Sequence, residues 1–99
     1  MHVAALRVDL HIPESHSLKE KRAVVRPIVE GARRRYAVAA AEVGHLDQWQ
    51  RSVVAMSVVS STQSHAAEVL DAVERFVWSH PEIEVLAADR SWLEVDHAG

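Results

Sequence analysis

Every second residue from position 4 to position 12 is apolar, and this alternation constrains the fold more than any other feature of the sequence. A period of two is that of a β-strand, in which successive side chains point to opposite faces of the sheet. Pro13 ends the strand, because proline has no amide hydrogen to donate to a ladder. The predicted buried face of this first strand consists of Ala4, Leu6, Val8, Leu10 and Ile12.

A helical pattern follows this strand. Ser17 and Glu20 have the spacing of a capping box, in which the serine side chain accepts from the amide of Glu20 and the glutamate accepts from the amide of Ser17. Behind the box, apolar residues recur at helical spacing as far as Tyr36. We therefore predict one amphipathic helix over residues 17–36, bent at Pro27, which removes one backbone hydrogen bond.

The remaining segments complete a recognisable order of elements. Period-two or valine-rich patterns predict three further strands, at 36–44, 51–60 and 83–95. Apolar residues at helical spacing predict a second helix at 66–77. The order β-α-β-β-α-β is that of the split βαβ, or ferredoxin-like, plan. We predict one α+β domain over residues 1–99, with a four-stranded antiparallel sheet and both helices on one face.

Composition excludes several classes of protein. Of the 99 residues, 48% are hydrophobic and 25% are charged, which is typical of a globular domain. No apolar run approaches the ~20 residues of a membrane helix, and no cationic leader precedes the first strand. The chain has no cysteine, so it has no thiol nucleophile and no thiolate metal site. We expect a cytoplasmic protein without a membrane partner.

The first helix concentrates the positive charge of the chain. Residues 17–36 hold seven basic and two acidic residues, a net charge of +5, whereas the rest of the chain has a net charge of −8. Four basic side chains fall within a ~60° arc of the helical wheel, and we call them the basic ridge: Lys19, Arg22, Arg26 and Arg33. With Lys21 added, they are the predicted polyanion-binding residues, and the phosphate backbone of RNA is the polyanion that such a ridge fits.

Two other interpretations of the same charges stay open. Arginine and lysine are good helix formers, and a run of charges on a helix is often only a solvated face. The basic helix also suits the acidic surface of a second copy of the chain. The sequence alone does not decide among these three interpretations.

A search for catalytic or metal-binding residues finds no strong pattern. The seven histidines include no HxH or HxxxH pair, so no local chelate exists. A tertiary site formed by Asp9, His11 and Glu42 is conceivable, but we interpret Asp9 and His11 as exposed and Glu42 as paired with a basic side chain such as Arg7. There is no glycine-rich phosphate loop. We predict no enzyme activity, no cofactor and no bound metal.

The sheet face opposite the helices is predicted to be apolar and uncovered. The outward residues of the first strand include Val3 and Ala5 but no phenylalanine, tyrosine or tryptophan, so base stacking on this face is not expected. An uncovered apolar face favours a homo-oligomer formed through that face. Each of the three tryptophans is either an interface anchor or a core residue, and Trp92 is the best candidate for burial.

Three segments resemble a known family: MHVAALRVDLHIPESHSLKEKRAVVRPIVEGARRRYAVAAAEVG, DQWQR and VVSSTQSHAAEVLDAVERFV. They are similar to the YlxP-like family of small bacterial proteins, a domain of unknown function, and the most specific parts are SLKEKR at 17–22 and AEV at 41–43. The resemblance implies a ferredoxin-like fold and no established activity. It also implies a setting in translation, because genes of the family tend to lie near those of translation initiation factor two and ribosome-binding factor A.

These observations lead to one prediction of function and one alternative. We predict a non-enzymatic accessory protein that binds ribosomal RNA or a ribosomal subunit through its basic first helix. The alternative is a small homo-oligomeric protein with a structural or ligand-sensing role and no nucleic-acid partner.

Overall fold

The computed structural model describes residues 1–95 and confirms the ferredoxin-like α+β fold. The elements are β1 (His2–His11), α1 (Leu18–Tyr36), β2 (Ala39–Gly44), β3 (Arg51–Ser60), α2 (Gln63–Trp78) and β4 (Glu84–Glu94). The four strands pair antiparallel in the spatial order β2-β3-β1-β4. Neither helix is long and apolar enough to cross a membrane.

The strand predicted at 36–44 begins only at Ala39. Helix α1 extends to Tyr36, and Ala37 then takes a left-handed conformation with a φ of 53° that ends the helix. A left-handed residue is a common way to stop a helix, although glycine normally occupies it. The start of β2 is therefore set by the end of α1.

The core lies between the helices and one face of the sheet. All five alternating residues of the first strand are buried, with exposed fractions of 0–1%. On the neighbouring strand, Met56 lies directly opposite Leu6 and is buried with it. Helix α1 contributes Ile28 and Ala32 to this core, and α2 contributes residues at the same helical spacing: Ala66, Leu70, Val73 and Val77.

Helix α1 begins with a cap that differs in one bond from the predicted capping box. Ser17 Oγ accepts from the amide of Glu20 at 3.0 Å, as the spacing predicts. Glu20 Oε2, however, accepts from the amide of His16 at 3.0 Å and from the hydroxyl of Ser17 at 3.3 Å. The carboxylate therefore satisfies the amide one residue before the cap instead of the amide of Ser17.

Replacing Ser17 by alanine is expected to lower the free energy of unfolding by about 1 kcal/mol, because the Glu20 amide loses its acceptor. Urea unfolding followed by circular dichroism measures the change. Ser61, an exposed serine in the turn before α2, is the control, and Ser61→Ala should change stability by less than about 0.5 kcal/mol. Equal stabilities of the two variants would show that the cap contributes nothing.

Candidate polyanion-binding surface on the first helix

Three of the predicted polyanion-binding residues line one groove between α1 and the edge strand β2. Arg22, Arg26 and Arg33 are exposed and border a groove of about 370 Å³. The spacing of these residues on the helix places them one above another, so their guanidinium groups share one flank. Lys19 is also exposed, one turn before Arg22. The structure thus places all four residues of the basic ridge at the surface.

Arg33 is held in place by the backbone of β2. Its Nε and Nη2 donate to the carbonyl oxygen of Ala40 at 3.0 and 2.6 Å. A guanidinium group has five N–H donors, so this contact leaves others for a ligand. The bond therefore orients the Arg33 side chain at the end of the groove without neutralising its charge.

The floor and walls of the groove also contain apolar and acidic residues. Val25, Val29 and Ala41 also line the groove, and so do Glu30 and Glu42. Carboxylates repel phosphates, so they reduce the affinity of the groove for a polyanion. The negative charge of Glu42 is offset by a buried cation, which is Lys21.

The prediction that Lys21 belongs to the polyanion-binding surface is wrong. The lysine is fully buried, and its Nζ donates to the carbonyl oxygens of three residues: His45 at 2.9 Å, Leu46 at 3.2 Å and Arg51 at 3.4 Å. The same Nζ lies 3.0 Å from Oε2 of Glu42. Lys21 precedes the buried Val25 by one helical turn, and that spacing is the signal that identifies it as an inward-facing residue.

The interpretation of Glu42 as paired with a basic side chain is confirmed, but the partner is Lys21 and not Arg7. Glu42 lies on the helix-facing side of β2, where Oγ of Ser52 donates to its Oε2 at 2.7 Å. Arg7 lies on the opposite side of the sheet, 3.7 Å from Asp9 and 3.9 Å from Asp89. The alternation of strand residues separates Arg7 from Glu42, because the two point to opposite faces.

The same separation excludes the conceivable metal site. Asp9 and His11 lie on the open face of the sheet, whereas Glu42 faces the helices. Within residues 1–95 no three histidine, aspartate or glutamate side chains are arranged to hold a metal ion. The three residues therefore do not form one site.

Lys21, Glu42 and Ser52 form a buried polar cluster that joins α1 to the turn between β2 and β3. Lys21 supplies three hydrogen bonds to backbone carbonyls of that turn and its flank, and Glu42 supplies the opposing charge. Hydrogen bonds from a charged donor are stronger than those between neutral groups, so the ammonium group ties the turn to α1. The turn itself includes His45 in a left-handed conformation, with a φ of 54°.

A second set of charges joins α2 to β4. Arg90 Nη2 lies 2.8 Å from Asp71 and 3.1 Å from Glu74. Burial lowers the pKa of Arg90, but the hydrogen bonds and charges of Asp71 and Glu74 outweigh it and raise the pKa above its ordinary value. Arg90 therefore joins β4 to α2 through its ion pairs, and it is not part of the surface of α1.

Fold and cluster together define the class of this protein: a small ferredoxin-like α+β protein with a buried lysine–glutamate pair behind a basic helix surface. The family model described as "Protein of unknown function (DUF503)" matches residues 3–90, and the chain belongs to that family. The chain is also 36% identical to "Uncharacterized protein YlxP" of Bacillus subtilis (strain 168) over 82 residues, which are 83% of this chain and 89% of that protein. The two most specific parts of the resemblance, SLKEKR and AEV, supply Lys21 and Glu42 and thus meet in space.

Proposed function

We propose that this protein is a non-catalytic accessory protein that binds RNA, in a ribosomal subunit or particle, through the basic ridge on α1. The observation that supports the proposal is the convergence of Arg22, Arg26 and Arg33 on one exposed groove, with Lys19 at its approach. Lys21 is left out of the proposed site, because its ammonium group is buried and bonded within the fold.

The pairing of charges leaves the ridge available for binding, as it leaves Arg34, Arg35 and Arg75, which within residues 1–95 also have no carboxylate within 4.0 Å. Arg7, Arg51 and Arg90 lie within 4.0 Å of carboxylates. Within residues 1–95, no carboxylate lies that close to the charged group of any residue of the basic ridge. Cations without an internal carboxylate keep their charge available to phosphates, and arginine binds phosphate oxygens through two parallel hydrogen bonds.

Binding through such a ridge is governed by the phosphate backbone. Cations that contact phosphates release counterions, so the affinity falls steeply with added salt. The described strands β1 and β3 carry no phenylalanine, tyrosine or tryptophan for bases to stack on, and their only rings are those of His2 and His11. We therefore expect recognition of RNA shape and charge, with little dependence on base sequence.

The test compares two double variants with the same change in net charge. Arg22→Glu with Arg26→Glu reverses two ridge residues, whereas Arg34→Glu with Arg75→Glu reverses two exposed arginines that do not line the groove. The ridge variant is expected to bind a labelled ribosomal RNA fragment at least about tenfold more weakly, equivalent to ~1.4 kcal/mol. Its slope of log affinity against log salt should fall by about 1 for each arginine that no longer binds a phosphate.

Fluorescence anisotropy with the RNA fragment and co-sedimentation with ribosomal subunits at low salt provide the two measurements. The control variant should retain most of the wild-type affinity, because its net charge changes without a change in the ridge. Absence of binding by the wild-type protein would refute the proposal. So would equal losses in the two variants, because net charge alone would then explain them.

A further inference from the structure

The sheet face opposite the helices carries small side chains on both sides of Arg7, which lies opposite Ala55. No helix within residues 1–95 packs on this face, which we call the open face. Across the strands, Ala5 lies opposite Ser57 on one side and Ser91 on the other, and Ala55 lies opposite Ala41. Small residues let another surface approach close to the backbone, so the open face can pack closely against a flat partner.

One end of the open face is an exposed apolar row. Val3 lies directly opposite Val59 on β3 and Leu93 on β4, so the three side chains stand side by side. Val59 is 65% exposed and Leu93 is 58% exposed. Neighbouring apolar side chains that no other part of the described fold covers are characteristic of an interaction surface.

The adjacent part of the open face carries both signs of charge. Arg7 lies 3.7 Å from Asp9 and 3.9 Å from Asp89, and Arg51 lies 3.6 Å from Asp9. The side chains of Arg7 and Asp89 are 54% and 69% exposed, so each can also bond to a partner. A surface that meets itself across a two-fold axis must carry groups complementary to its own. Arg7 and Asp89 satisfy this requirement, because each is the natural partner of the other.

We infer that the open face binds the open face of a second copy, giving a dimer in which two sheets pack face to face. Strands ~4.8 Å apart with a rise of ~3.3 Å per residue give the face a projected area of about 600 Å². Side chains add to this area, and a standard interface buries about 600–1,000 Å² of accessible surface on each partner. The face is therefore of the right size for a dimer.

The chemistry of the face favours a second copy over RNA. Its arginines Arg7 and Arg51 already lie beside carboxylates, and the described residues of β1 and β3 include no phenylalanine, tyrosine or tryptophan for base stacking. A face-to-face dimer also leaves α1 on the outside of each copy, since the helices lie behind the sheet. Dimer formation and RNA binding by the basic ridge are consequently separate properties, and either can fail without the other.

The test is the molar mass in solution, measured by light scattering and sedimentation equilibrium from micromolar to near-millimolar concentration. The wild-type protein should approach twice the 11.0 kDa of the chain. Val59→Glu places a charge within the proposed interface and should raise the dimer dissociation constant at least about tenfold. Trp78→Glu is the matched control, because Trp78 is 58% exposed on α2, behind the sheet, and its replacement should leave the dimer intact.

Exchanging the charges of Arg7 and Asp89 tests whether the dimer forms through the open face. Arg7→Asp should weaken the dimer, because it sets like charges against each other, and adding Asp89→Arg should restore it in part. Urea melts check that each variant is folded. A monomeric wild type at every concentration would overturn the inference, as would a dimer that Trp78→Glu dissociates and Val59→Glu does not.

Discussion

Replacing Lys21 by methionine is expected to lower the free energy of unfolding by about 3 kcal/mol. Methionine fills a similar volume but has no donor, so Glu42 loses its cation and three carbonyl oxygens lose their hydrogen bonds. Breaking a buried ion pair from one side leaves the other charge uncompensated, and that is the main cost. The loss lies near the lower end of the usual range, because Glu42 is 19% exposed and keeps the hydrogen bond from Ser52.

Two further variants separate the ion pair from other effects of the substitution. Lys19→Met removes an exposed lysine from the same helix and should change stability by less than about 0.5 kcal/mol. Adding Glu42→Gln to Lys21→Met removes the unpaired charge and should recover part of the lost stability. Urea melts of these proteins, together with Glu42→Gln alone, give the coupling energy between Lys21 and Glu42. If Lys21→Met and Lys19→Met prove equally mild, the buried cluster does not stabilise the fold.

Gly31→Val is expected to destabilise the protein by about 2 kcal/mol, because the ring of Phe76 fills the space that a side chain at position 31 would need. A Cβ atom at Gly31 would lie 2.5 Å from Cζ and 3.2 Å from Cε2 of Phe76. The Phe76 ring cannot move freely, since it packs between Tyr36 at 5.7 Å and His80 at 4.8 Å. Overfilling a packed contact costs ~1–3 kcal/mol, and the better helix propensity of valine recovers only a few tenths.

The control is a double-mutant cycle with Phe76→Ala. Removing the ring opens the space above Gly31, so the valine should then be close to neutral. Thermal and urea unfolding of the four proteins measure the interaction energy, which should be about 2 kcal/mol. An equal penalty in both backgrounds would mean that Phe76 is not the obstacle, and that the contact between α1 and α2 is looser than the distances indicate.

The buried cluster and the basic ridge have different roles on the same helix. Lys21 points inward and holds the turn between β2 and β3, whereas Arg22 points outward into the groove beside β2. Ser17 determines where α1 begins, and that start determines which side of the helix each of these residues occupies. The six residues SLKEKR therefore combine a helix cap, a structural cation and the start of the proposed RNA-binding surface.

The element order was predictable from the sequence because the patterns that define it are local. Alternation identified the buried residues of β1, and the spacing of Ser17 and Glu20 identified the start of α1. Helical spacing also contained the signal for Lys21, which lies one turn from Val25. The many basic residues of this helix nevertheless favoured the opposite prediction. A lysine among six other basic residues of one helix is expected to be exposed to solvent.

Only the tertiary structure decided which groups meet. Glu42 pairs with Lys21 because α1 crosses above β2, and Arg7 is excluded because it points to the other side of the sheet. Trp92, the best candidate for burial, is 43% exposed because it lies on the edge strand β4, beside the small residue Ala4. The periodicity of a segment depends on its own residues and is present in the sequence. Pairing and burial depend on strand order, register and helix placement, which exist only once the chain has folded.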